Sequence, residues 1–368
     1  MRVGRVESAD IASAAWRLTG GFYLSEDERA ARALRKLRRK SDRLITLVSG
    51  RGVFRGPIFK RQYVEDPALG LPYVSPNDLD RVFVEPSGYL SRKLPVDLLE
   101  TLELHERYTL VTCSGMSLGK ALLVREDMNG LIASHDLIRI EASEMKVPSG
   151  YLYAFLAGRH GRASIRKQTY GGSVKHIEPE HLFDLGIPRI NDTLEQKAHR
   201  LIEAFSKGVA HYVAEMRAAT AEVLEHAGIS SPDFFQWSVD GRRLGWSERR
   251  LSSESLRAMN YDPRASDVRR QVSKGKHSSL GSLCEPSLFK GKIIFTRVDA
   301  EPEFAALLVG QRKAFRPRPD GRWISKKSIR GLGLQVPAGT TLIPSHGTLG
   351  ENELYCRVLM VTPRQAGY

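Results

Sequence analysis

Cysteine is scarce. Cys113, Cys284 and Cys356 are spread through 368 residues and are odd in number. That excludes a disulfide framework and the paired Cys-x-x-Cys of a zinc site, and it fits a reducing cytoplasm. No apolar run approaches the ~18 residues needed to span a membrane. The opening Met1-Arg2-Val3-Gly4-Arg5-Val6-Glu7 has no signal-peptide core, so a cytoplasmic protein is expected. Catalytic signatures are missing as well. There is no Gly-rich phosphate loop, no His-Glu-x-x-His and no Asn/Asp-Pro-Pro-Tyr/Phe of the kind that amino-methyltransferases carry. The ten histidines show no ligand spacing. Asp192 with Glu195-Gln196-Lys197 has the outline of a metal nuclease, but it falls in the first turn of an expected helix, where acids are favoured anyway. The expectation is a chain without catalytic residues and without a cofactor or metal of its own.

Acid is the second shortage. The 56 Lys and Arg outnumber the 42 Asp and Glu, giving a net charge of +14 and a pI near 9.7. The imbalance is uneven: +4 over residues 1–228 and +10 over 229–368. Between 304 and 330 eight bases (Arg312, Lys313, Arg316, Arg318, Arg322, Lys326, Lys327 and Arg330) face one acid, Asp320. A solvated loop is the plain reading of such a run; a phosphate backbone as partner is the one its density favours.

What is present is a text that repeats itself. Leu44-Ile-Thr-Leu…Phe54-Arg55-Gly56 returns as Leu280-Gly-Ser-Leu…Phe289-Lys290-Gly291. Tyr89-Leu-Ser91-Arg92-Lys93 returns as Trp323-Ile-Ser-Lys326-Lys327, and Thr109…Ser114-Gly115…Gly119 as Thr341…Ser345-His346-Gly347…Gly350. Three matches in the same order point to a duplicated domain. The second copy is shorter: 18 residues follow Gly350, whereas the first copy runs on from Gly119 to residue 190. The expectation is either a chain lacking its last domain third and a second long helix, or one naturally shortened there.

Between the copies lies a different kind of sequence. No proline or turn cluster interrupts residues 192–226, and apolar or small residues fall at Leu194, Ala198, Leu201, Phe205, Val209, Tyr212, Met216, Ala219 and Val223. This spacing predicts one long helix, capped by Asp192 with Glu195, with a seam of coiled-coil type that packs on a partner. At 1.5 Å per residue it would be roughly 50 Å long. The expected layout is residues 1–190 as a first recognition domain, 191–228 as the spacer helix and 229–368 as a second recognition domain. Each domain is expected to be mixed α/β. In the first, β-like runs stand at Leu44–Val48, Pro72–Val74, Tyr108–Thr112, Ala121–Val124 and Leu137–Ile140, with helices from a Ser25…Glu28 capping box to about Arg39 and at Gly150–Ala157.

Candidate contacts to nucleic acid follow from charge, hydroxyls and aromatics near turns. They are Arg51, Arg55, Lys60 and Arg61 beside Tyr63, then Tyr89, Ser91, Arg92 and Lys93. Ser114, Ser117 and Lys120 sit in a Gly-rich turn suited to backbone amides facing phosphate, and Lys167, Tyr170, Ser173 and Lys175 follow. In the second copy they are Lys290, Arg312, Lys313, Arg316, Arg318, Lys326, Lys327 and His346. Arginine suits the edge of guanine, provided its loop reaches the major groove. Each cluster by itself reads equally well as wet surface.

The order of these stretches resembles the specificity (S) subunits of type I restriction–modification enzymes. The resemblance runs through Gly70-Leu-Pro-Tyr-Val-Ser-Pro-Asn-Asp78, Leu110-Val-Thr-Cys-Ser-Gly-Met-Ser-Leu-Gly-Lys120, His135-Asp-Leu-Ile-Arg-Ile140, Tyr151-Leu-Tyr-Ala-Phe-Leu-Ala-Gly158 and Tyr170-Gly-Gly-Ser173…Ile187-Pro188, which leads into the long helix. It implies a non-catalytic reader of double-stranded DNA. Such a subunit holds DNA methyltransferase subunits, and in some complexes a restriction/translocase subunit, on a bipartite site. S-adenosylmethionine, and ATP with magnesium for a nuclease, would then belong to the partners. The implied docking residues are Leu194, Leu201, Phe205, Tyr212 and Met216. A reading from another class is a nuclease or methyltransferase fragment with its own recognition domain.

Overall fold

A computed structural model describes residues 5–13, 20–36, 40–115, 117–169, 176–229, 263–284, 294–316, 320–345, 358–363 and 365–367, with single residues beside them. The chain divides into two compact units, Met1–Asp80 with Val84–Val213, and Arg81–Phe83 with Ala214–Tyr368.

The first unit is mixed α/β. Its N-terminal helices are α1 (Ser8–Ser13), α2 (Gly20–Tyr23) and α3 (Glu26–Lys36). The Ser25 cap of α3 is formed, with the Glu28 N–H donating to Ser25 Oγ at 3.1 Å. The carboxylate of Glu28 is buried and turns to Lys167 Nζ at 2.6 Å. Two four-stranded sheets follow. One has the order β2 (Val48–Arg55), β9 (Leu137–Ala142), β6 (Thr109–Thr112), β7 (Ala121–Leu123), all antiparallel. The other runs β3 (Tyr63–Val64), β5 (Gly88–Ser91), β4 (Gly70–Val74), β8 (Ile132–Ala133), with β4 and β8 parallel. A two-stranded ladder joins β1 (Ser41–Arg43) to β10 (Gly186–Pro188). Helices α4 (Val96–Leu102), α5 (Ser149–Ala157), α6 (Arg159–Lys167) and α7 (Glu180–Phe183) complete the unit before α8, Asp192–His226.

The expected runs at residues 72–74, 109–112, 121–123 and 137–140 are strands. Leu44–Leu47, read as β-like, is instead one turn of 3-10 helix, and the strand begins only at Val48. Leu44 and Leu47 are both buried, which the three-residue repeat of that helix allows and strand alternation does not.

The central strands explain their own composition. In β6 all four residues are buried, because both faces of the sheet are covered. Val111, Ile138 and Ile140 join one core with Tyr151, Leu152 and Leu156 of α5. Leu110 and Leu137 point to the opposite core with Val74, Leu104 and Met128. On that second face Arg139 is fully buried. It donates to the carbonyls of Leu137 and Leu102, each at 2.9 Å, and of Ala133 at 3.1 Å. One guanidinium thus ties β9 to the end of α4 and to the second sheet. Burial among dipoles instead of a carboxylate lowers its pKa to about 10.

In the second unit the described elements are shorter. Strands β11 (Ala305–Leu308) and β12 (Arg322–Ser325) pair, as do β13 (Thr341–Leu342) and β14 (Leu359–Met360). Ala306, Ile324 and Ile329 are buried together, with Phe295, Leu308, Leu332 and Leu334 packed on them. Leu90 and Ile324 are both buried strand residues followed by Ser, but a turn follows Ser91 whereas the short helix Lys326–Ile329 follows Ser325. Residues 285–290 and 346–350, where other matches of the expected repeat fall, lie outside the described residues.

Candidate nucleic-acid interface

Strand pairing joins β3 to β5, whose flanking residues carry four of the candidate bases. Tyr63 pairs with Leu90 and Val64 with Tyr89. The Ser91 N–H extends the ladder by donating to the Gln62 carbonyl at 2.8 Å. Lys60 and Arg61 come just before β3, and Arg92 and Lys93 stand in the turn just after its partner β5. The turn after β5 is held by Ser91, whose hydroxyl accepts from the Lys93 N–H at 3.2 Å. All four cations are exposed, and none forms an ion pair among the described residues. Tyr89 is half-buried on the same strand. The Arg61 guanidinium lies 5.7 Å over the ring of Tyr73, which meets Tyr63 edge-on at 6.0 Å. Burial pushes the Tyr63 phenol up, so its hydroxyl stays a donor.

Arg51 stands apart from this edge, at a bulge in β2. The ladder to β9 shifts register between Val48 and Val53. Gly50 and Gly52, with φ of +53° and +74°, make the turn that presents Arg51 to solvent. Its guanidinium stacks 4.8 Å over Phe54, and Nη2 donates to Thr101 Oγ1 on α4 at 2.7 Å. Its backbone N–H donates to Glu141 Oε2 at 3.2 Å, an oxygen that also accepts from the Tyr108 hydroxyl at 3.4 Å. Burial first, and Glu141 second, push the Tyr108 phenol up. Nothing in the sequence singles out Thr101 or Glu141 as partners; a Thr in an apolar helix and a Glu at a strand end are ordinary.

Other expected contacts are engaged inside the unit. Arg55 pairs with Glu178 at 3.1 Å and faces the buried Cys113 thiol at 3.9 Å. Burial raises that thiol's pKa while Arg55 opposes the shift. Lys120 pairs with Asp80 and Lys167 with the buried Glu28. The Ser114 hydroxyl donates to Asp136 Oδ1 at 3.2 Å, and the Ser117 carbonyl accepts from the Thr112 hydroxyl. The Gly-rich stretch expected to face phosphate is therefore the β6–β7 turn, closed by its own hydrogen bonds. Tyr170, Ser173, Lys175, Lys290, Arg318 and His346 lie outside the described residues.

In the second unit, Lys313 and Arg316 share Asp320, at 3.3 and 3.1 Å, while Arg312 is exposed beside them. Lys326 and Lys327 are exposed at the start of the short helix Lys326–Ile329.

The long helix is capped one residue earlier than expected. Asn191 caps it, Oδ1 accepting from the Leu194 N–H at 2.9 Å. Glu195 is buried instead. Its Oε1 accepts from the Ile190 N–H at 2.8 Å and its Oε2 lies 2.9 Å from Arg189 Nη2, while Arg189 Nη1 reaches Asp42 at 3.0 Å. The nuclease-like outline thus has its Glu occupied by a structural cation. Toward its own unit the helix turns Glu195, His199, Ser206 and Val213. The Gly150 N–H donates to His199 Nδ1 at 3.1 Å, and Arg107 meets Glu203 at 2.8 Å. The expected apolar seam faces water in part: Leu194, Leu201, Tyr212 and Met216 are 48%, 63%, 45% and 41% exposed, while Phe205 and Val209 are half-buried and Ala198 packs on the first core.

Among the described residues no helix is long and apolar enough to cross a membrane. No protein-family model and no curated protein matches the chain. Solved structures similar to it include the S subunit of a type I restriction–modification system from M. genitalium, at 13% identity and a TM-score of 0.33, covering 89% of this chain and 71% of that one. A second is the HsdS subunit from Thermoanaerobacter tengcongensis, at 14% identity and a TM-score of 0.32, covering 88% of this chain and 73% of that one. A third comes from a study of complex assembly and conformational transition in the type I R-M system, at 15% identity and a TM-score of 0.33; it covers 58% of this chain, which spans 51% of that one.

Proposed function

We propose that this chain is a sequence-reading subunit of a type I restriction–modification complex. It binds a bipartite site in duplex DNA, one domain to each half, and docks methyltransferase subunits on the exposed seam of α8. Methyl transfer, and any ATP-driven cleavage, belongs to those partners. The observation that carries the reading is the edge of Lys60, Arg61, Arg92 and Lys93. Four cations on adjoining segments without a carboxylate repel one another. A polyanion relieves that repulsion, and its released counterions supply the binding free energy. Two tyrosines beside them fit a DNA-facing surface better than a merely solvated one.

The test is binding of the full chain to duplex DNA across a salt series, with structured RNA as competitor. Log affinity is expected to fall steeply with log salt, by about 0.9 per neutralised phosphate, and Arg61→Ala or Lys93→Ala to reduce the slope by about 1 each. A flat salt response, or equal competition by RNA, overturns the reading. Transfer of label from S-adenosylmethionine to DNA by the purified chain alone would make it an enzyme instead.

A further inference from the structure

Resting on that DNA-reading role, we infer that Arg51 is a base-reading residue whose guanidinium hydrogen-bonds the major-groove edge of a guanine. The bases of the first unit fall into three kinds. Arg55, Lys120 and Lys167 are neutralised inside the unit. Lys60, Arg61, Arg92 and Lys93 are exposed without carboxylates, as phosphate contacts need. Arg51 belongs to neither kind. It is exposed, yet its side chain is fixed at two points, the Phe54 face and Thr101 Oγ1. Phosphate tolerates a mobile cation, because charge attraction is not directional. A base edge demands a planar fork held in place, and fixing the fork beforehand lowers the entropy lost on binding.

Local charge points the same way. The Glu141 carboxylate lies under the turn, bound to the Arg51 N–H. It offsets the positive charge there and weakens general attraction to phosphate, but leaves the directional hydrogen bonds. One N–H of five is taken by Thr101, so the remaining donors can meet guanine O6 and N7. The presentation is also rigidly specified. Gly50 holds a φ of +53°, which other residues rarely adopt.

The experiment is enrichment of randomised DNA duplexes by the full-length chain, followed by sequencing. The wild type is expected to enrich a motif with a required guanine. Arg51→Gln is expected to reduce discrimination at that position by roughly 10- to 100-fold, and to turn the preference toward adenine, whose N6 and N7 suit an amide. Its salt slope on unrelated duplex should stay that of the wild type. Thr101→Val, which leaves Arg51 in place without its acceptor, should weaken the same position by a smaller factor. An unchanged motif with Arg51→Gln overturns the assignment. So does weakening on every duplex alike with a reduced salt slope, which would make Arg51 a phosphate contact. A wild type that enriches no motif overturns sequence reading as a whole, and the role of Arg51 with it.

Discussion

Two faces of α8 lie one residue apart, and they are treated oppositely. One runs through Glu195, His199, Ser206 and Val213, is largely polar, and is turned to the first unit. The other runs through Leu194, Leu201, Tyr212 and Met216, is more apolar, and remains exposed. Apolarity therefore does not decide which face is buried here. The polar face docks where its ionisable groups meet partners: Glu195 meets Arg189 and the Ile190 N–H, and His199 meets the Gly150 N–H at the start of α5. Burying a charge that is paired and hydrogen-bonded is tolerated, whereas removing one partner is severe. The apolar face is left over, and exposed apolar stripes of this kind mark protein contacts.

The sharpest way to break the comparison is on the polar face. Arg189→Ala leaves Glu195 buried without its cation and should destabilise the first unit by about 3–5 kcal/mol. Urea unfolding of the full chain measures it; a loss below about 1 kcal/mol would mean that apolar contacts hold the helix after all. Gly150→Ala is the next largest. The added methyl would stand 2.9 Å from His199 Cα, Nδ1 and carbonyl oxygen, so the helix must shift. The expected cost is about 1–3 kcal/mol, read as a lower unfolding midpoint with an unchanged denaturant slope.

The smallest effect on stability belongs to the apolar face. Leu194→Glu combined with Leu201→Glu should change the unfolding free energy by no more than about 0.5 kcal/mol, since both side chains already face water. The same double variant should fail to co-purify with the methyltransferase subunit proposed as its partner. Normal co-purification would move the docking surface elsewhere on the chain.

Much of the secondary structure was legible in the residues. The helix over 192–226 follows from an unbroken run with no proline, and its observed bounds are Asp192–His226. The helix at Ser149–Ala157 was visible as an apolar block, and the strands at Gly70–Val74 and Leu137–Ala142 as short runs between turn signals. Strand β2 was hidden because Gly50-Arg51-Gly52 reads as a breaker; a bulge absorbs the two glycines and the ladder resumes at Val53. Arg139 was hidden because an Arg in Leu-Ile-Arg-Ile reads as the solvent face of an edge, whereas both faces of β9 are covered.

The sequence by itself determined the long helix and several strands of the first unit, the basic excess and the one heptad-like apolar row on the long helix, since these depend on local spacing and on counting charge. Only the tertiary structure decided how far that row is buried and which bases are free. A carboxylate that neutralises a base stands far away in sequence: Glu178 for Arg55, Asp80 for Lys120, Glu28 for Lys167. Lys60, Arg61, Arg92 and Lys93 look no different from these along the chain. They form one exposed edge because β3 pairs with β5, and that is a long-range choice which no local pattern encodes.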